Sequence, residues 1–182
     1  MAEHLILSRQ IDEEAAKKRL QRLGATACEP AWVSLWAAAL GLPNGTPGAW
    51  LLSAQKMRRA LLIVGAELPA QTTAIDTELR IESGLPPTPE ALNRLWLWER
   101  MATPRHWRIQ VLDSAPTSIW LPCWLGYARG RQHRLLVISG LSGEPLPMLK
   151  PIVLKGLEQA YRNGSESETK SSGVNKRREK AV

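Results

Sequence analysis

Phenylalanine is missing altogether, tyrosine occurs twice, cysteine twice and histidine three times in the 182 residues of the chain. Each scarcity removes a chemistry. Cys28 and Cys123 form no CxxC pair, and both sit among apolar neighbours, so they read as buried free thiols. His4, His106 and His133 are too widely spaced to read as a ligand set, and no metal is expected. No P-loop lysine motif occurs, and no GxGxxG follows an apolar strand, so no nucleotide cofactor is expected. The "GLSGE" of residues 140–144 departs from the G-x-S-x-G nucleophile elbow and reads as a turn in which glycine supplies a positive φ. No catalytic residues are assigned, and the expectation is a protein that is not an enzyme and carries no cofactor. Apolar runs also fall short of the roughly 18–20 residues that a membrane span needs. The first residues, "MAEHLILSRQIDEE", turn acidic where a signal peptide would be basic and then apolar. A cytoplasmic location without a transmembrane segment follows as the expectation.

What the chain does have is tryptophan, eight residues of it. Indole combines a large apolar area with one N–H donor and is favoured where an apolar surface meets another surface. The net charge is +7. From Asn163 on, five basic side chains face three acidic ones, so +5 remains for residues 1–162 and the basicity is spread out.

Patterning gives an outline of the fold. Residues 4–8, "HLILS", read as a short strand. Asp12 then caps a helix with Glu13 and Glu14 in its first turn, Ile11, Ala15, Ala16, Leu20 and Leu23 on one face, and Gly24 as its stop. A second helix is predicted from Pro30, carrying Trp32, Val33, Leu35, Trp36 and Leu40, and closing at the loop "GLPNGTPG" of residues 41–48. Residues 49–60 are read as a helix and 61–68 as a strand. In "TTAIDTELRIE" charged Asp76, Glu78, Arg80 and Glu82 alternate with apolar or β-branched neighbours, the pattern of a half-buried strand with a solvated charged face. Thr88 caps a further helix that has Pro89 at its first position and runs to about Met101. "HWRIQVL" alternates again as a strand. A last helix starts near Pro151 with Leu149, Val153, Leu157 and Tyr161 on one face. After Arg162 the chain is polar, and residues 163–182 are expected to be a disordered basic tail.

Residues 119–146, "IWLPCWLGYARGRQHRLLVISGLSGEPL", read as a β-hairpin. A turn centred on Arg129-Gly130 would set Gly126 opposite His133, Trp124 opposite Leu135, Cys123 opposite Leu136 and Leu121 opposite Ile138. One face would then carry Leu121, Cys123, Leu125, Tyr127, Leu136 and Ile138, and the other Trp120, Pro122, Trp124, Leu135 and Val137. His133 and Cys123 would point apart, which excludes a shared metal. Neither face is polar, whereas an antiparallel hairpin in a small domain usually wets one side. The tryptophan face needs cover, either from the N-terminal segments or from a partner. Pro122 favours an edge or a bulge at its position.

The residues Leu121, Pro122, Trp124, Tyr127, the run 135–138, and Gly140, Ser142, Gly143 and Glu144 carry a resemblance. This segment, 28 residues of the 182, resembles the hairpin of PepSY-type modules and the "LPxW…GxxGE" hairpin of a group often attached to zinc ribbons, although the cysteine set of the latter is absent. The resemblance implies an α+β module, helices on an antiparallel sheet, that binds or regulates.

The expectations are therefore a single α+β domain over residues 1–162, with an antiparallel sheet of four to five strands packed against helices mainly on one face. A division into a helix-rich part, 1–68, and a sheet-rich part, 69–162, stays open. The leading function is a non-catalytic accessory or scaffold protein that docks a protein partner through Trp120, Trp124, Leu135 and Val137. The alternative is nucleic-acid binding through the hairpin-tip residues Arg129, Arg131 and Arg134 and the tail residues Lys176, Arg177 and Arg178, with Arg58, Arg59, Arg105 and Arg108 as further cations. Against it, arginines at a tight turn also keep an apolar hairpin soluble and block edge pairing. Homo-oligomerisation is left open.

Overall fold

The structure, a computed structural model, describes residues 4–73, 75, 78–102, 108–131 and 133–172. Its framework is one mixed sheet built around two long antiparallel strands, β2 (Ala27–Gly41) and β8 (Thr117–Ala128), paired from Ala27 opposite Tyr127 to Ala37 opposite Thr117. On the far edge of β2 lie β3 (Ala49–Ser53), followed outward by β4 (Leu61–Val64), and the parallel β6 (Leu79–Ile81); β7 (Gln110–Val111) continues the line of β8. The far edge of β8 takes β1 (Leu5–Leu7) in parallel and β9 (Arg134–Ser139) antiparallel, and β5 (Ala70–Gln71) closes on β1. The α+β class is as expected, but the sheet is mixed rather than antiparallel, because β1 and β6 pair in parallel, and the described residues form nine strands where four to five were expected.

The largest correction is β2. Residues 30–40 were predicted as a helix and form the central strand instead. Ala31, Val33, Leu35 and Ala37 point to one face, Trp32, Ser34 and Trp36 to the other, and nearly all are buried. With both faces covered the apolar run is continuous, so alternation disappears and the alanines imitate helix propensity. Residues 49–53 are likewise a strand rather than a helix, and of residues 61–68 only β4 is strand. In the alternating stretch only β6 is strand, with Ala74, Asp76 and Thr77 outside the described residues. Of "HWRIQVL", only β7 pairs, and His106 and Trp107 also lie outside them.

Three helices cover the sheet, on both faces rather than mainly one. Helix α3 (Lys150–Ser172), with the 3-10 turn before it, packs Leu149 and Val153 into a core with Val33, Leu35, Leu121 and Leu125. Gly156 lets it approach closely, since a Cβ there would meet Ile81 at 2.5 Å. Tyr161, expected on the buried face, is exposed, and α3 continues past Arg162 as far as Ser172. On the opposite face α1 (Glu13–Arg22) buries Ala16 and Leu20 against Trp124 and Ile138. Beside it α2 (Pro89–Ala102) buries Leu92, Leu95 and Trp96 against Ala38, Leu40 and Leu51. The predicted caps form: Asp12 Oδ1 accepts from the Ala15 N–H at 2.8 Å and Thr88 Oγ1 from the Ala91 N–H at 3.2 Å. Gly24 ends α1 at φ +96°.

The hairpin exists, in another register. Cys123 opposes Ser139, Trp124 opposes Ile138, Gly126 opposes Leu136 and Tyr127 opposes Leu135, a slip of three residues from the predicted pairing. An odd slip exchanges faces. Trp120, Pro122 and Trp124 therefore share a side with Leu136 and Ile138, while Leu135 and Val137 lie on the α3 side with Cys123 and Leu125. The register is set away from the tip. The Gly140 N–H donates to Pro122 O at 2.7 Å, a contact at the end away from the tip that leaves no room for a Cβ, while at the tip end Thr26 holds Tyr127 O and ties β8 to the start of β2. His133 lies in the connection between the strands rather than opposite Gly126.

Candidate docking surfaces

Four residue pairs make up the middle of the α1–α2 face: Pro30 with Trp124, Trp32 with Pro122, Ser34 with Trp120, and Trp36 with Ser118. This is the tryptophan surface that the sequence marks as needing cover, and the chain covers it itself. The Arg9 guanidinium lies 4.8 Å from the ring centres of both Trp32 and Trp124, sandwiched between the two indoles. Arg9 Nη1 donates to both oxygens of Glu78 at 2.9 Å, and Trp32 Nε1 donates to the same carboxylate at 2.6 Å. Trp124 Nε1 donates to Ile11 O at 2.9 Å, and Trp36 Nε1 to Gly84 O at 3.1 Å. His4 lies against Trp120 and bonds Ser118 through Nδ1 at 2.6 Å. Glu78, expected on a solvated charged face, is thus the anchor of an aromatic and cationic cluster.

Of the four predicted docking residues, Trp120 is 8%, Trp124 4%, Leu135 6% and Val137 5% exposed. They lie on two faces of the sheet, and together they offer almost no surface to a partner. The predicted nucleic-acid residues separate as well. Arg129, Arg131 and Arg134 are exposed at the end of the hairpin, whereas Lys176, Arg177, Arg178 and Arg105 lie outside the described residues. Arg108 is exposed near α2.

The "GLSGE" segment is a structural turn. Gly143 has φ +76°, Ser139 Oγ accepts from the N–H groups of Leu141 and Ser142, and Arg19 of α1 donates to Ser142 O at 3.1 Å. Cys123 is fully buried, which pushes its thiol up to about 12. Cys28 is half-buried, and burial raises it too. The Tyr127 hydroxyl is raised by burial and by its hydrogen bond to Glu29. Among the described residues no three His, Cys, Asp or Glu side chains are grouped to hold a metal. Among them, too, no helix is long and apolar enough to cross a membrane.

Open apolar surface lies elsewhere, around α2 and the outer strands. Trp98 is 64% exposed and Val64 81%, and Leu42, Leu62, Leu97 and Met101 are also exposed. Leu42, Leu62 and Val64 border a cavity of about 390 Å³ floored by Leu40, Trp96 and Ile109. A second hollow of about 310 Å³ runs between Trp98, Arg94 and the β3–β4 loop. A third groove, of about 660 Å³, lies on the other side of that loop against the start of α3. Sequence reading missed these surfaces, because their residues come from separated segments that only the fold brings together. Comparison with known families, curated proteins and solved structures finds no match to the chain.

Proposed function

We propose that the protein is a non-catalytic docking module that holds a protein partner on the open apolar end formed by α2 and β4. The tryptophan-rich hairpin serves as its rigid platform. One observation carries this reading: six large apolar side chains are exposed at that end, while the indoles of the sheet centre are covered and hydrogen-bonded. Large apolar side chains exposed together on a small protein mark an interaction site. β4, of sequence LLIV, adds a strand edge that no other strand among the described residues pairs, a template for further pairing. The PepSY-like hairpin points the same way, towards binding.

The test is quantitative co-purification at native abundance, with Leu62→Asp/Val64→Asp and Trp98→Ala compared with the unaltered chain. These side chains face outward, so the circular dichroism and melting temperature should stay unchanged while partner recovery drops about tenfold or more. Full recovery of partners with the fold intact would overturn the reading. So would recovery of nucleic acid in place of protein, with an affinity that falls steeply with salt and depends on Arg129, Arg131 and Arg134; that result would favour the alternative.

A further inference from the structure

The groove beyond the β3–β4 loop has a composition unlike the rest of the open surface. Its floor is aliphatic and sulfur-bearing, made by Met57, Met148, Pro151 and Ile152. Its rim is wholly cationic, with Lys56, Arg58 and Arg59 from the loop facing Lys155 from α3. No carboxylate lines it. Arg59 is engaged by Glu99 at 3.6 Å, whereas Lys56, Arg58 and Lys155 have no ion-pair partner among the described residues. Like charges held around an apolar trench repel one another, and an anion laid between them relieves that repulsion. Besides the Glu99 that engages Arg59, an acidic group lies in the adjoining cleft of about 410 Å³, where Glu82 shares the lining with Lys56, Ile152 and Lys155.

We infer that this groove receives an acidic, aliphatic-bearing segment of a protein partner, its carboxylates paired with Lys56, Arg58 and Lys155 and its side chains resting on Met148 and Ile152. Charge complementarity selects the acid, and the floor selects the aliphatic side chains. Methionine adapts to varied apolar shapes, which suits a linear segment better than one rigid ligand. The floor has no aromatic ring on which a base could stack, so single-stranded nucleic acid fits it poorly. The inference rests on the reading of the chain as a docking module but uses a groove that neither Leu62 nor Val64 lines, so the two stand or fall in different experiments.

Fluorescence anisotropy on the full chain would test it, with a labelled peptide of alternating Glu and Leu as probe. A Gln-Leu peptide and a labelled single-stranded oligonucleotide serve as comparators. The Glu-Leu peptide should bind at least about tenfold more tightly than the Gln-Leu peptide, and should weaken as salt rises. The exposed-residue variant Lys56→Glu/Lys155→Glu should abolish that preference, and Met148→Ser should weaken binding with the charges left in place. Equal binding of the two peptides, or indifference to the double variant, would overturn the inference. An oligonucleotide that binds more tightly than the Glu-Leu peptide and is lost in the same variant would reassign the groove to phosphate. Leu62→Asp/Val64→Asp should leave peptide binding unchanged, which separates a failure here from a failure of the α2–β4 reading.

Discussion

The middle and the α2 end of one sheet face are both rich in tryptophan, yet they are opposite in exposure. In the middle, the segment between β1 and α1 crosses the face, placing Arg9 between two indoles and carrying Ile11 O to a third element, the Trp124 N–H of β8. At the other end α2 lies across β2 and β3 but turns only Leu92, Leu95 and Trp96 inward, leaving Trp98 and the outer side of β4 uncovered. Composition does not decide whether a tryptophan face becomes core or interface. A polar segment able to cross it and satisfy its N–H groups does.

Matched substitutions make this difference measurable. Trp124→Ala should cost about 3–5 kcal/mol, because it opens a cavity under α1 and removes one side of the Arg9 sandwich, whereas Trp98→Ala should stay within about 0.5 kcal/mol. Urea unfolding of the two variants checks this; similar costs would mean that α2's exposed side is part of the core. Next in size is Arg9→Ala, expected to cost about 2 kcal/mol, since it leaves Glu78 with only the Trp32 N–H among the described residues and uncovers two rings. A loss below about 0.5 kcal/mol would mark the cluster as surface decoration.

The smallest effect, per group and per unit of pH, is at alkaline pH. The neutral forms of Cys123 and Tyr127 are favoured in the native state, so above their ordinary ionisation range the folded chain holds protons that the unfolded chain has released. Stability therefore falls as pH rises, by up to about 1.4 kcal/mol per pH unit for each group. The Cys123 limb starts near its ordinary value of 9.0 and runs to about 12. Cys123→Ala should flatten that limb in a series of urea midpoints against pH, whereas Cys28→Ala, at a half-buried thiol, should change it far less.

The parts of the fold that were legible in the sequence are those specified locally. Asp12 and Thr88 announce α1 and α2 because a cap depends on three or four neighbouring residues. The hairpin was legible as a pair of strands but not in register, since the register is fixed by Gly140 against Pro122, a contact distant from the turn. β2 was hidden because burial on both sides erases the period. The open surfaces were hidden for a further reason. Val64 and Trp98 look like core residues until the topology leaves them at an edge, and Lys56 meets Lys155 only because α3 folds back onto the sheet. Glu78 looked like one of a row of solvated charges, and its role appears only once β6 is laid beside β2.

Pinning the β8–β9 ladder at its open end, away from the turn, has one more consequence. The five residues from Arg129 to His133 need only span the gap between two strands already aligned, and loop-closure entropy grows slowly with length. That tip can therefore be lengthened, shortened or given a grafted epitope without dragging the ladder out of line. It is the natural place on this molecule to splice in a reporter while the tryptophan platform beneath keeps its shape.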